Sequence, residues 1–449
     1  MFELIILLSR YLFLFFIVYF LWQALTYLMD ERDIKKGDRD LAASNQRTTI
    51  VLMHITAFLI LAYVPDDLAF NRTTLITGGA GLVLLILGNI LVRIAYKGSC
   101  ELLWNGMFFL IDTGLIMLER VQRIPRLQEI QPNLAQRQLI WCAMGLAGAL
   151  LIPLALKLIP KFEKLEKVYM VVSYFMILTP FVLGQESGGA INRIVFKGIA
   201  FQPSEIVKFL FVFYLASAFR KKTTFRQWIL PAVLSAGIVL VLALQTDLGG
   251  ALIFFMTFMI MFYISTGSSL LFFAGMGLAS GASCLAYSLF SHVKVRVAAW
   301  QNPWQDIDGG GYQIVQSLFA IGTWGLLGSG LTLGSPGLVP VVESDFIFSA
   351  VCEELGSLFG IALIGVFIMI FYRGVHISLR CSRRYYALLA AGFTGMLAFQ
   401  TFLILGGVIK LIPLTGVTLP FVSYGGSSIV VSILMLGIIQ WIYMYNKGS

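Results

Sequence analysis

Two ionisable residues stand three positions apart in Gln202-Pro203-Ser204-Glu205-Ile206-Val207-Lys208. On a helix that starts after Pro203, the side chains of Glu205 and Lys208 meet. A plain helix start also accounts for them, with proline near the first turn and an acid at the positive end of the dipole. A lysine buried beside a cavity would in addition suit an anionic ligand. Asp247, between Gln245-Thr246 and Leu248-Gly249-Gly250, either caps the next helix or joins a polar network. Asp112 lies inside an apolar run, where an ionisable group is expensive and calls for an interhelical hydrogen bond.

The densest group begins at Lys294-Val295-Arg296 and continues through Trp300-Gln301-Asn302-Pro303-Trp304-Gln305-Asp306-Ile307-Asp308. Gly309-Gly310-Gly311-Tyr312-Gln313 follow, and Glu343-Ser344-Asp345 come later. Cations and aromatic rings at a membrane surface can hold a phosphate and a sugar. The same residues can form an interfacial tryptophan belt with Asp-Gly turns. From Leu414 to Ser428, small polar residues fall at bilayer depth, where irregular backbone is tolerated only against protein or a wet cavity. Gly277 and Gly281, four apart, read as a helix-packing surface.

The elements that must position these residues are membrane helices. Of 449 residues, 58% are hydrophobic and 12% charged, with a mean hydropathy of +0.86. Soluble domains carry about 25% charged residues, so a single water-soluble globule is excluded. The net charge of +9 is spread through short loops, as in a polytopic membrane protein, and nucleic acid is not an expected partner. Five cysteines without a CxxC pair and three scattered histidines argue against a disulfide framework or a metal centre. Residues 11–29 are too long for a signal-peptide core and read as a retained span.

A span needs about 20 apolar residues. The chain offers thirteen such stretches, including 269–290 and 346–372. Twenty Lys and Arg fall in one set of alternating loops and ten in the other. This bias puts the N-terminus outside and the C-terminus in the cytoplasm, although 120–137 runs against it. The longest outer segment is then 291–345. The fold class expected is all-α and polytopic, with residues 1–98 as about three added spans before a ten-span core at 99–449.

At these segments the sequence resembles the SEDS family of bacterial shape, elongation, division and sporulation proteins, FtsW, RodA and SpoVE. The matching pieces are Phe201 to Glu205 with Lys208, Gln245 to Gly249, and Asn302 to Asp306 leading into Gly311-Tyr312-Gln313 and Gln316-Ser317. Asp345 to Phe348 with Glu353 to Gly356, and Leu419 to Ser428, complete the set in family order across roughly 100–446. Where the family often carries Pro-Glu-x-His-Thr, this chain has Pro340-Val341-Val342-Glu343-Ser344, so that histidine's role is absent or has moved to Glu343. Arg193-Ile194-Val195 replaces the usual Arg-Trp-Ile, and Gln245-Thr246-Asp247 the usual Gln-Pro-Asp.

The resemblance implies a peptidoglycan glycosyltransferase of the bacterial cytoplasmic membrane that polymerises lipid II beside a class B penicillin-binding protein. Asp306 matches the family's essential loop acid and is the expected base, with Asp308 its nearest rival. Arg296 and Lys208 are expected to contact the donor pyrophosphate, and Glu205, Asp247, Arg193, Gln313 and Ser423 to complete the substrate site. A pyrophosphate leaving group needs neutralised charge, whereas glycoside hydrolysis needs an acid to protonate a poor leaving alkoxide. No cofactor is implied by the residues; a divalent cation, Mg or Mn, is the one candidate to share the phosphate charge. A lipid II flippase and a non-catalytic activator of the penicillin-binding protein are the alternative functions.

Overall fold

The computed structural model describes residues 2–29, 36–64, 69–159, 162–187, 190–196, 199–221 and 225–448. Of the residues counted for orientation, Arg32, Lys35, Lys161, Lys197 and Lys222 lie outside these. Three helices lead: α1 (Phe2–Leu28), α2 (Lys36–Ala62) and α3 (Arg72–Ala95). A small hairpin of β1 (Tyr63–Val64) and β2 (Ala69–Phe70) joins the last two. Then come α4 (Glu101–Val121), α5 (Pro125–Ile130), α6 (Leu134–Leu158), α7 (Glu166–Leu178) and α8 (Pro180–Leu183). An antiparallel ribbon of β3 (Gln185–Ser187), β4 (Ala190–Phe196) and β5 (Ile199–Phe201) leads into α9 (Pro203–Phe219). The chain continues through α10 (Phe225–Leu244), α11 (Leu248–Thr266) and α12 (Ser269–Leu289).

The 291–345 segment is partly helical, with α13 (Ser291–Gln301), α14 (Tyr312–Gly322) and 3-10 turns at Pro303–Asp306 and Pro336–Leu338. The last helices are α15 (Ile347–Leu355), α16 (Ser357–Leu379), α17 (Arg384–Val408) and α18 (Gly426–Gly448).

Among the described residues, eleven helices are long and apolar enough to cross a membrane. The chain is a helical multi-pass membrane protein. Of the thirteen expected stretches, α2 and α9 are helical but outside the eleven: α2 opens on charged turns, and α9 has 17 residues. The stretch expected as one span over 346–372 is two helices. Gly356 sits between them at φ +95, a left-handed conformation that breaks the helix and that glycine tolerates.

Packing sets the centre of the bundle. α4 is buried over 94% of its apolar stretch, the highest of the eleven, and is surrounded by α2, α3, α6, α15, α16 and α18. Asp112, in mid-α4, makes the interhelical bond its position demands, to His54 Nδ1 on α2, while His54 Nε2 donates to Gly78 O on α3 at 2.8 Å. α12 is the opposite case: none of its residues is buried, and its main neighbours are α11 and α13. Gly277 and Gly281 therefore do not form the expected packing surface, since nothing stands within 4 Å of a Cβ at either position.

Two of the arginines that break the loop-charge bias, Arg120 and Arg123, are engaged in structure. Arg120 Nε donates to Glu354 Oε1 at 2.6 Å and its Nη2 to Gly334 O at 2.8 Å. Arg123 donates to Leu61 O and to Thr74 Oγ1.

Candidate active site

Glu205 falls in the first turn of α9 because Pro203 starts the helix there, and the next turn brings Lys208 beneath it. Lys208 Nζ lies 2.8 Å from Glu205 Oε1 and donates to Gln400 Oε1 on α17 at 3.0 Å. Both charged residues are at least nine-tenths buried. Gln400 in turn donates to Thr418 O at 2.8 Å, which ties the pair to the segment between α17 and α18. That segment has no helix, and it lines the cavity from Leu414 to Thr418 and at Tyr424 and Gly425, with Gly426 to Ser428 at the start of α18 continuing the lining, a wet surface of the kind its polar backbone requires.

The cavity has a volume of about 1390 Å³. Glu205 and Lys208 on α9 form one wall, with Asp247 at the start of α11 and Arg193 on β4. Arg296 on α13, Gln313 on α14, and Glu343 with Asp345 ahead of α15 line the same cavity. Arg137, in the first turn of α6, also lines it. Among the described residues neither Arg137 nor Arg193 has an ion pair within 4 Å, although the charge of Arg193 acts on Asp345. Arg296 donates to Thr415 O at 3.3 Å, which aims the guanidinium at the cavity floor.

Asp247 is an N-cap. Its Oδ1 accepts from Gly250 N at 2.8 Å, and its Oδ2 from Asn192 Nδ2 at 2.9 Å and Gln202 Nε2 at 3.1 Å. One carboxylate thus binds β4 and the start of α9 to α11. Ser423 is buried below the cavity wall: it accepts from Leu419 N at 2.9 Å and donates to Ser344 O. It holds the strand of backbone that carries Asp345 without itself lining the space.

Asp306 ends the 3-10 turn, at the rim. It is exposed and is not among the residues that line the cavity; its Oδ2 accepts from Gly310 N at 2.7 Å, and the neighbouring Gly309 and Gly310 do line it. A Cβ on Gly309 would collide with that carboxylate. Asp308 lines the cavity directly.

Electrostatics single out Asp345. Burial pushes its carboxyl up to about 6, opposed by the Ser344 hydroxyl at 3.0 Å and by the charges of Arg193 and Arg296. Glu343 is also raised by burial, and its Oε2 is buried without a partner.

The model of the FtsW/RodA/SpoVE family, described as cell cycle protein, matches residues 100–448. The chain belongs to this family. The peptidoglycan glycosyltransferase RodA of Mycobacterium tuberculosis is 32% identical over 346 residues, 73% of this chain and 74% of that one. The probable peptidoglycan glycosyltransferase FtsW of Alcanivorax borkumensis is 34% identical over 75% of this chain and 91% of its own. A chain from a peptidoglycan synthase complex solved for its coordination of polymerization and crosslinking superposes with a TM-score of 0.65. It is 26% identical and covers 79% of this chain and all of that one.

Within this FtsW/RodA/SpoVE member, the structure gathers Glu205, Lys208, Asp247, Arg193, Arg296 and Gln313 into one cavity. Asp306 stands at its rim and Ser423 behind its wall. Sequence reasoning gave Arg137 no site role and noted Asp345 in a polar run and in the family-like segment Asp345 to Phe348 without assigning it a function. The signal for Arg137 was its place on the side of the membrane poor in cations. Glu343 lines the cavity near the position of the missing family histidine.

Proposed function

We propose that this protein is a peptidoglycan glycosyltransferase that polymerises lipid II at the outer face of the bacterial cytoplasmic membrane. The observation that carries the reading is the single cavity in which Lys208, Arg193, Arg296 and Arg137 converge with acids, at the end of the bundle bearing the 291–345 segment. Family membership and the named activity of the relatives support the same chemistry.

In this reading the donor's pyrophosphate sits among the cations. The acceptor sugar's 4-hydroxyl loses its proton to Asp306 as its oxygen bonds to the donor's anomeric carbon, and the bond from that carbon to the lipid pyrophosphate breaks. General-base catalysis of this kind contributes about 10²–10⁴-fold. Fixed cations aimed at the departing phosphates stabilise the charge that develops there, and arginine can grip a phosphate through two nitrogens. Asp306 suits the base because one oxygen is anchored on Gly310 N, leaving the other free at the rim.

Among the described residues no group of three His, Cys, Asp or Glu could hold a divalent cation by itself; a Mg or Mn ion here would be shared between one or two carboxylates and the donor's phosphates, whose charge it would help neutralise. The N-terminus is placed outside and the C-terminus in the cytoplasm, from the loop charges. A class B penicillin-binding protein is the proposed partner, supported by the likeness to the synthase complex. Residues 1–98 are an addition to the ten-span unit.

The test is glycan synthesis from labelled lipid II by the purified protein with its partner, resolved on a gel. Chain lengthening is expected. Transbilayer movement of lipid II without lengthening would make the protein a flippase, and neither activity would leave an activator of its partner.

A further inference from the structure

A second cavity of about 330 Å³ lies between α2 and α3, shares no lining residue with the outer site, and is lined by residues ahead of the family match apart from Phe108. Its floor is apolar, formed by Ile50 and Leu85 with Phe108 of α4 behind them. Ile86 on its flank is 44% exposed, so the crevice opens toward the bilayer.

The mouth is charged. Arg47 on α2 and Arg93 near the end of α3 both line it, and both reach the one carboxylate of Glu101 at the start of α4. Arg93 Nε stands 3.4 Å from Glu101 Oε1, and Arg47 Nη1 bonds Oε2. Two cations share one anion, which leaves an excess positive charge at the edge of an apolar slot. Among the described residues the other guanidinium donors of both arginines have no hydrogen-bond partner, and Ser44 lines the same cavity.

We infer that this crevice binds an anionic phospholipid, its phosphate held by Arg47 and Arg93 and one acyl chain lying along the Ile50–Leu85 floor. Charge complementarity selects an anionic headgroup, and the apolar floor selects a lipid over a free anion. Basic pockets between membrane helices hold anionic headgroups in this way. With the orientation proposed above, the mouth faces the cytoplasmic leaflet. Lipid binding itself does not depend on the glycosyltransferase reading.

The full-length protein is reconstituted into phosphatidylcholine vesicles with a small fraction of spin-labelled phosphatidylglycerol, and immobilised lipid is measured. Labelled phosphatidylcholine serves as the comparison. Wild type is expected to prefer phosphatidylglycerol. Arg93→Gln, at a half-exposed position that folding tolerates, is expected to weaken that preference about fivefold, as is Arg47→Gln. Ile86→Trp, which fills the slot and keeps both arginines, is expected to abolish it. Arg380→Gln, a basic residue at the end of α16 outside the crevice, is expected to retain it. Equal immobilisation of both lipids, an unchanged preference in Arg93→Gln and Ile86→Trp, or full displacement by excess inorganic phosphate would overturn the inference.

Discussion

Asp345 and Arg296 face each other across Gly416: Asp345 Oδ2 and Arg296 Nη2 stand 3.6 and 3.8 Å from the point where a Cβ on that glycine would lie. The acid is therefore a built-in competitor for a cation proposed to hold phosphate. Its carboxyl is raised from its ordinary 3.8 to about 6, chiefly by burial. Below that value it is neutral and leaves Arg296 and Arg193 to the donor; above it, it is ionised and its charge offsets theirs. Donor binding is expected to weaken severalfold as pH rises from 5 to 7.5, and this dependence should flatten in Asp345→Asn. The stability sign agrees: the raised acid favours folding below about pH 4 and loses that contribution as pH passes 6. A titration of donor affinity in both proteins checks it.

Glu205 and Lys208 form one buried pair, but their expected roles differ. Lys208→Gln removes a cation from the leaving group and should lower polymerisation about 10²–10³-fold. Glu205→Gln leaves the ammonium in place, still bonded to Gln400, and should retain more activity than Lys208→Gln. Initial rates on lipid II at equal folded protein decide the order, and the reverse order would remove Lys208 from phosphate binding.

Asp247 acts through what it holds. Asp247→Ala loses a cap of about 1 kcal/mol and frees Asn192 and Gln202, so both the melting temperature and donor binding should fall. Asp247→Asn keeps one accepting oxygen, enough for the cap to Gly250 N but not also for Asn192 and Gln202, and should recover the melting temperature more than donor binding. KM is expected to rise more than kcat falls, which separates positioning from chemistry.

Gly356 lies at the break between α15 and α16. An alanine there would strain a positive φ by about 1–3 kcal/mol and collide with the Leu326 carbonyl. Gly356→Ala should lower the thermal midpoint in detergent well below that of an alanine at Gly277, which faces open space.

Much of this was legible before any coordinates. Apolar runs mark helices because the bilayer admits no unsatisfied backbone, and Pro203 fixed the turn on which Glu205 meets Lys208. Asp112 had to find a partner, and His54 supplied it. The rest depends on tertiary placement. A hydropathy reading passes over Gly356, since one glycine does not alter the average of an apolar stretch. Nothing local distinguishes Gly277 on a bare helix from a glycine at an interface. Arg137 and Asp345 acquire meaning only when α6, α13 and the segment before α15 close around one space, and motif order says nothing of which way the Asp306 carboxylate turns.

The central claim rests on the acid at the rim. Glycan made from labelled lipid II should be compared for wild type, Asp306→Ala, Asp306→Asn and Asp308→Ala, each with the partner penicillin-binding protein and each shown to be folded. The expected result is loss of polymer in both Asp306 variants with synthesis retained in Asp308→Ala. Full-length glycan from Asp306→Ala, with none from Asp308→Ala, would contradict it and move the base two residues along the chain.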